Sequence, residues 1–202
     1  MFEQLHTGEI YDPVTPELAA FQQSCLELLH TFNQIPPSQM DRRNALMHQM
    51  LADCGEGCYI EPPFYANFAG RHVHFGDYVY ANFNLTCVDD THIYVGDHTM
   101  FGPGVQLVTA THPIDPVLRE KGLQYNKPIR IGKNCWFGAG AIVLPGVTIG
   151  ENVVVGAGSI VTKDLPDNVV AVGNPCRILR KIEPETHAEF TGSSHEAERT
   201  VI

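Results

Sequence analysis

The chain has 202 residues, 13 Lys and Arg against 23 Asp and Glu, a formal net charge of −10 and 44% apolar residues. That length suits one globular unit with small additions, and the acidic balance weighs against a nucleic acid or an anionic membrane surface as partner. No stretch is long and apolar enough to cross a bilayer, and the first residues show no basic-then-apolar run, so neither a membrane span nor a signal peptide is expected.

The first predicted elements are two helices, over residues 16–31 and 39–53, in an N-terminal helical segment taken as residues 1–56. Thr15-Pro16 opens the first with proline at its first position, and Leu18, Phe21, Cys25, Leu28 and Leu29 form its apolar face. Pro36-Pro37 ends it. Ser38, with Asp41 three residues later, is the expected N-cap of the second, and Gly55 the expected stop. The six cysteines, Cys25, Cys54, Cys58, Cys87, Cys135 and Cys176, are scattered, which predicts free thiols in a reducing, cytoplasmic setting. Cys54 and Cys58 have a spacing used for metals, but no second pair completes four ligands, and no metal is expected.

From residue 57 to residue 183 the pattern changes to a period of six. Ile131, Phe137, Val143, Ile149, Val155 and Val161 form its cleanest run, with Gly or another turn-tolerant residue usually following. Cys135, Ala141, Val147, Val153 and Ser159 stand two residues before the next rung. This period fits no amphipathic helix or hairpin sheet; it fits a short strand and a corner repeated around a prism, a parallel β-helix. The pattern starts at Phe75, Ala81 and Cys87, slips at Asp89-Asp90, and resumes at Val95, Phe101 and Leu107. It vanishes over residues 109–128, a polar stretch with three prolines, and returns in register at Ile131, so that stretch is expected as a loop ejected from the prism. Residues 184–202 carry no period and are expected to be a flexible tail. Just before them, Arg177, Arg180 and Lys181 form a basic cluster on an acidic chain, which reads either as a solvated run or as a phosphate site.

Of the ten histidines, His112 stands apart because it opens the ejected loop, in Thr109-Ala110-Thr111-His112-Pro113. An imidazole at a rigid loop mouth suits a general base taking a proton from a hydroxyl, and the competing reading is local packing. His72, His74, His92 and His98 carry a rival. His74 and His92 are one full coil apart, and stacked imidazoles between subunits would suit a zinc hydratase of the γ-carbonic-anhydrase type.

The chain resembles the maltose and galactoside O-acetyltransferases of the hexapeptide-repeat acyltransferase superfamily. The resemblance runs through Phe32-Asn33, Ile60-Glu61-Pro62-Pro63-Phe64, Tyr80-Ala81-Asn82-Phe83-Asn84 and the loop opening Thr109 to Pro116. It continues through Asn134 to Gly138, Pro145 to Gly150, Val161 to Asp164 and Gly173 to Arg177. It implies a left-handed β-helix, a homotrimer with active sites between subunits, and acetyl-CoA as co-substrate. By resemblance His112 is the general base that activates a sugar hydroxyl for direct attack on the thioester, and Asn82, Asp90 and Asp12 are acceptor contacts. Trp136, Ala139 and Ala157 line the pantetheine arm, Thr162 and Lys163 lie further along, and Lys163, Arg177 and Arg180 meet the nucleotide phosphates. Trp136 reads equally as a packing residue, and Asn82 and Asp89-Asp90 equally as corner and bulge residues. Residues Asn67 to His72 depart from the family pattern with one extra residue, which leaves the sugar open. Other acceptors (an amino sugar, serine or an antibiotic) form the second reading, the zinc hydratase the third, and a non-catalytic scaffold the last.

Overall fold

The computed structural model describes residues 2–183; the tail expected at residues 184–202 lies outside the described residues. The hexapeptide pattern folds as expected, into a parallel β-helix of three faces. The first face stacks Asp53–Cys54, Val73–Phe75, Ile93–Val95, Ile129–Ile131 and Thr148–Ile149. The second stacks Tyr59–Ile60, Tyr80–Ala81, Met100–Phe101, Trp136–Phe137, Val154–Val155 and Val169–Val172, closed by the antiparallel Arg177–Lys181. The third holds Tyr65–Ala66, Thr86–Val88, Gln106–Val108, Ile142–Val143 and Ile160–Val161. The chain visits the faces in that order, so every coil crosses the same three corners.

Such short strands are stable because each rung stacks on the rung one coil away. Ala81, Phe101, Phe137, Val155 and Ala171 are in register down the second face, and all are buried. Phe101 and Phe137 meet with ring centroids 5.1 Å apart. The residues two positions before the rungs, Cys135, Ala141, Val147, Val153 and Ser159, share this interior. At the first corner the backbone turns through positive φ, and Asn134, Asn152 and Asn168 take it at 55°, 56° and 57°. Asparagine tolerates this region, and here its amides also bond from coil to coil, Asn134 Nδ2 to Asn152 Oδ1 at 2.8 Å and Asn152 Nδ2 to Asn168 Oδ1 at 3.0 Å.

Coil spacing leaves no room for a side chain just past the second face. A Cβ on Gly138 would stand 2.5 Å from the Ala157 nitrogen, a backbone atom that cannot yield. Gly138→Ala should therefore cost about 1–3 kcal/mol by overpacking, read as a lower thermal midpoint than wild type.

The slip at Asp89-Asp90 also has a physical cause. The preceding coil carries extra residues between Ala66 and Val73, and the two enlarged corners pack on each other. The buried Asp89 carboxylate joins them, accepting from Phe68 N–H at 2.8 Å and Gly70 N–H at 2.9 Å.

Helix α1, Pro16–Asn33, is capped by Thr15, whose hydroxyl accepts from Leu18 N–H at 3.3 Å, and it buries Leu18, Cys25, Leu29 and Phe32. The Asn33 side chain both donates to and accepts from the Phe64 backbone, at 2.8 and 2.9 Å, tying the helix end to the first coil. Helix α2, Met40–Met50, is shorter than expected at both ends. Gln39, not Ser38, holds the N-cap position and makes no side-chain cap bond there. At the other end Ala52 N–H donates to Val73 O, so β-pairing takes the chain from the helix and the first strand starts at Asp53, ahead of residue 57. No helix among the described residues is long and apolar enough to cross a membrane.

Candidate active site

The stretch over residues 109–128 leaves at the corner between the third and first faces. It is an ordered hairpin: Ala110–Thr111 pairs antiparallel with Tyr125–Asn126, and a one-turn helix α3, Pro116–Glu120, fills its tip. Asp115 caps α3 by accepting from Val117 N–H at 2.8 Å. His112 follows the first strand of this hairpin and is exposed. Its Nδ1 lies 2.8 Å from the Leu123 carbonyl oxygen. A carbonyl only accepts, so Nδ1 carries the proton, and in the neutral ring the lone pair stands on Nε2. The hairpin thus fixes the tautomer that a general base needs.

Beneath His112 lies a buried polar network. Gln124 Nε2 is 2.8 Å from Asp90 Oδ1, 3.0 Å from Asn126 Oδ1 and 2.7 Å from the Tyr11 hydroxyl, two protons among three acceptors. Asn67 Nδ2 donates to Asp90 Oδ2 at 2.6 Å, and Asn126 Nδ2 reaches both Leu5 O and the Tyr11 hydroxyl at 3.0 Å. Burial and the Asp90 charge push the Tyr11 phenol up. Asp90, one of the sequence-derived acceptor residues, is therefore at the centre of this network and not a free surface carboxylate. Asp12 adjoins Tyr11 at the rim, exposed, its carboxylate accepting from Val14 N–H at 2.9 Å.

The remaining residues lie elsewhere on the prism. Asn82 sits at the corner between the second and third faces, where positive φ falls on Asn84 instead. Its Oδ1 accepts from Phe83 N–H at 2.8 Å, and this corner gives it no link to His112 within one chain. Along the same corner a groove of about 150 Å³ is lined by Trp136, Gly138, Ala139, Val154, Gly156 and Ala157. The backbone N–H groups of Ala139 and Ala157 donate to no acceptor among the described residues. Thr162 and Lys163 follow the last strand of the third face, on the edge that carries His112 further along. Lys163 and Arg177 share a cleft of about 360 Å³ with Asp164 and Cys176. Arg180 is in register with Val170 on the neighbouring strand and is not part of that cleft.

Sequence reading missed Tyr11, Gln124 and Asn126. The contacts of Tyr11 with Gln124 and Asn126 span more than a hundred residues, and no local period marks them. It also missed His6, which completes a four-histidine cluster on the first face. His74 Nε2 and His92 Nδ1 are hydrogen-bonded at 2.8 Å, His74 Nδ1 contacts the Asp53 carboxylate, and His72 Nδ1 donates to Asp89 O at 2.6 Å. His6 Nδ1 meets Thr91 Oγ1 at 2.9 Å, with its ring 4.5 Å from His92 and 4.8 Å from His72. Two extra residues in this coil put His74 in register with Tyr94, so the expected one-coil stacking of His74 on His92 does not form; their rings are tilted at 42° and spend facing nitrogens on each other. Among the described residues no group of three or more His, Cys, Asp or Glu is placed to hold a metal ion.

This cluster makes stability pH-dependent. Burial, then the neighbouring imidazoles, lowers His6 from 6.5 to about 4, and burial also lowers His72 and His92. The unfolded chain takes up these protons first, so stability is present above pH 6.5 and is lost as pH falls toward 4. Asp89 runs the other way. Burial pushes it from 3.8 up to about 7, so its contribution favours the fold at low pH and is lost as pH rises through that window. His6→Phe should flatten the acid-side loss in urea titrations between pH 4 and 6.5, and an unchanged slope would show that His6 titrates freely.

Comparison with known proteins places the chain among hexapeptide-repeat acetyltransferases. Residues 5–55 match the maltose acetyltransferase hexapeptide capping motif, and residues 128–163 match the hexapeptide repeat of succinyl-transferase. A galactoside O-acetyltransferase of Lactococcus lactis is 56% identical over 181 residues, covering 90% of this chain and 87% of its own. A crystal structure of a maltose O-acetyltransferase from Clostridium difficile superposes with a TM-score of 0.88 at 40% identity, covering 90% and 97% of the two chains. A galactoside acetyltransferase in complex with coenzyme A does so at 0.87 and 43%, covering 91% of each. The chain belongs to the maltose and galactoside O-acetyltransferase family of hexapeptide-repeat acetyltransferases.

Proposed function

We propose that the chain transfers the acetyl group of acetyl-CoA to a hydroxyl of a sugar or glycoside by direct attack, with His112 as general base. The observation that carries this is the Nδ1–H bond from His112 to the Leu123 carbonyl, which leaves Nε2 open at an exposed edge. Nε2 takes the proton of the sugar hydroxyl as its oxygen attacks the thioester carbonyl. The tetrahedral oxyanion, suited to a backbone N–H donor, collapses by breaking the C–S bond, and the imidazolium returns its proton to the CoA thiolate. No acyl-enzyme is required.

The donor fits the second edge of the prism. Pantetheine is a narrow chain with two amides, and the groove at Trp136, Ala139 and Ala157 offers small side chains and free N–H groups. Lys163 and Arg177 supply cations for the nucleotide phosphates, with Arg180 on the adjacent strand and Thr162 beside Lys163. Asp90, Asn82 and Asp12 are proposed acceptor contacts. Asn82 and the groove lie on a different corner from His112, so one subunit does not assemble the centre. A homotrimer, packing the groove edge of one prism against the hairpin edge of the next, does.

The test is thiol release from acetyl-CoA with maltose, glucosides, galactosides, amino sugars and serine, with and without a chelator. We expect acceptor-dependent release with the neutral sugars, O-acetylated product and no chelator effect. Release only with amines or serine would move the chain to the second acceptor class, and release abolished by chelation would revive a metal-dependent reaction.

A further inference from the structure

The peptide unit between Leu123 and Gln124 is held from both sides. Its carbonyl accepts from His112 Nδ1 at 2.8 Å, and its N–H donates to the Tyr11 carbonyl at 3.0 Å. The peptide is not among the cis bonds of the chain, so N–H and C=O lie in one plane and point in opposite directions. Whatever turns the N–H turns the carbonyl with it. Tyr11 N–H returns to the Gln124 carbonyl at 2.8 Å, closing an isolated antiparallel bridge between the N-terminal segment and the hairpin.

The Tyr11 side chain anchors this bridge from below. Its ring is buried, and its hydroxyl sits 2.7 Å from Gln124 Nε2 and 3.0 Å from Asn126 Nδ2, both of which belong to the hairpin. Gln124 is in turn fixed to the Asp90 carboxylate in the prism wall. One residue of the N-terminal segment therefore grips the returning strand of the hairpin by its backbone and by its side-chain amides.

We infer that Tyr11 is a positioning residue for His112, acting through the 123–124 peptide unit; this rests on the reading of His112 as general base. The chain of dipoles, from Tyr11 C=O through the peptide to the imidazole N–H, holds the ring in one orientation and one tautomer, and bonds in such a series strengthen one another. Without it the carbonyl is free to turn, and the neutral imidazole divides its proton between two nitrogens. The N-terminal segment keeps other attachments in that case: Leu5 O to Asn126 and His6 to Thr91 are independent of the Tyr11 side chain.

The experiment compares Tyr11→Ala, Tyr11→Phe and His112→Ala with the full-length wild type, in thiol-release kinetics and in ¹⁵N spectra of the histidine ring nitrogens. For Tyr11→Ala we expect kcat to fall on the order of tenfold to a hundredfold, as for a misplaced catalytic group. The KM for acetyl-CoA should stay within about twofold, because Tyr11 is not among the residues proposed to hold the donor. The His112 ring signals should move from one protonated Nδ1 toward a mixture of tautomers. Tyr11→Phe keeps the ring but loses the hydroxyl and should fall between wild type and Tyr11→Ala. Wild-type kcat and tautomer in a folded Tyr11→Ala protein overturn the inference. If that variant does not fold, wild-type values for Tyr11→Phe do so. Full activity in His112→Ala would instead remove the base reading itself.

Discussion

Replacing His112 with alanine should lower acceptor-dependent turnover roughly a hundredfold to ten-thousandfold, the usual cost of losing a positioned base. The stability of the protein stays within about 0.5 kcal/mol of wild type, as for an exposed residue outside the core. Both halves follow from one geometry. His112 is exposed, and its side chain is held by the bond from Nδ1 to the Leu123 carbonyl. It contributes to no rung of the core, so its loss opens no cavity. The KM for acetyl-CoA should hardly change, since His112 is not among the residues proposed to hold the donor. A variant with wild-type kcat would show that the hydroxyl loses its proton to some other group.

The largest effect on stability is expected at Phe137. Phe137→Ala should cost about 3–5 kcal/mol in urea unfolding, the range for deleting a fully buried aromatic side chain. The ring is 0% exposed and packs against Phe101 at a 30° tilt, and Phe101 lies in turn 6.5 Å from Phe75. A solenoid has no second layer to collapse into the gap, because each coil touches only its two neighbours. Trp136 and Gly138, on either side of Phe137, line the groove proposed for the donor, so a folded remnant should also show a raised KM for acetyl-CoA. A loss below about 1 kcal/mol would mean that the coil repacks and that the rung is not the unit of stability.

The period of six made the prism legible from sequence because each rung faces inward whatever its partners are. Ile131, Phe137, Val143, Ile149, Val155 and Val161 were identifiable without any knowledge of register, and all are buried. The slip at Asp89-Asp90 was visible as a broken count. Its cause was not, because it depends on Phe68 and Gly70 in the coil before. Thr15-Pro16 announced its helix through local cap chemistry, whereas the end of α2 was decided by strand pairing with Val73, which no cap residue signals. His112 was legible by position, at the mouth of the interruption. Its support was not: Tyr11 and Gln124 are separated by 113 positions and carry no shared pattern. The His74–His92 contact was not readable from the coil length, because the two extra residues at the slip put His74 opposite Tyr94, and His6 reaches the cluster from outside the repeat.

Subunit mixing tests most directly whether base and donor groove from neighbouring prisms form one reaction centre. His112→Ala removes the base from one edge, and Ala157→Trp obstructs the groove on another. Each homo-oligomer should be inactive. Co-expressed with different tags and purified as mixed trimers, they should regain about one third of the wild-type thiol-release rate, because in any cyclic trimer of both kinds one of the three junctions joins an intact His112 to an intact groove. Mixed trimers as inactive as their parents would contradict the shared site and place base and groove in the same subunit.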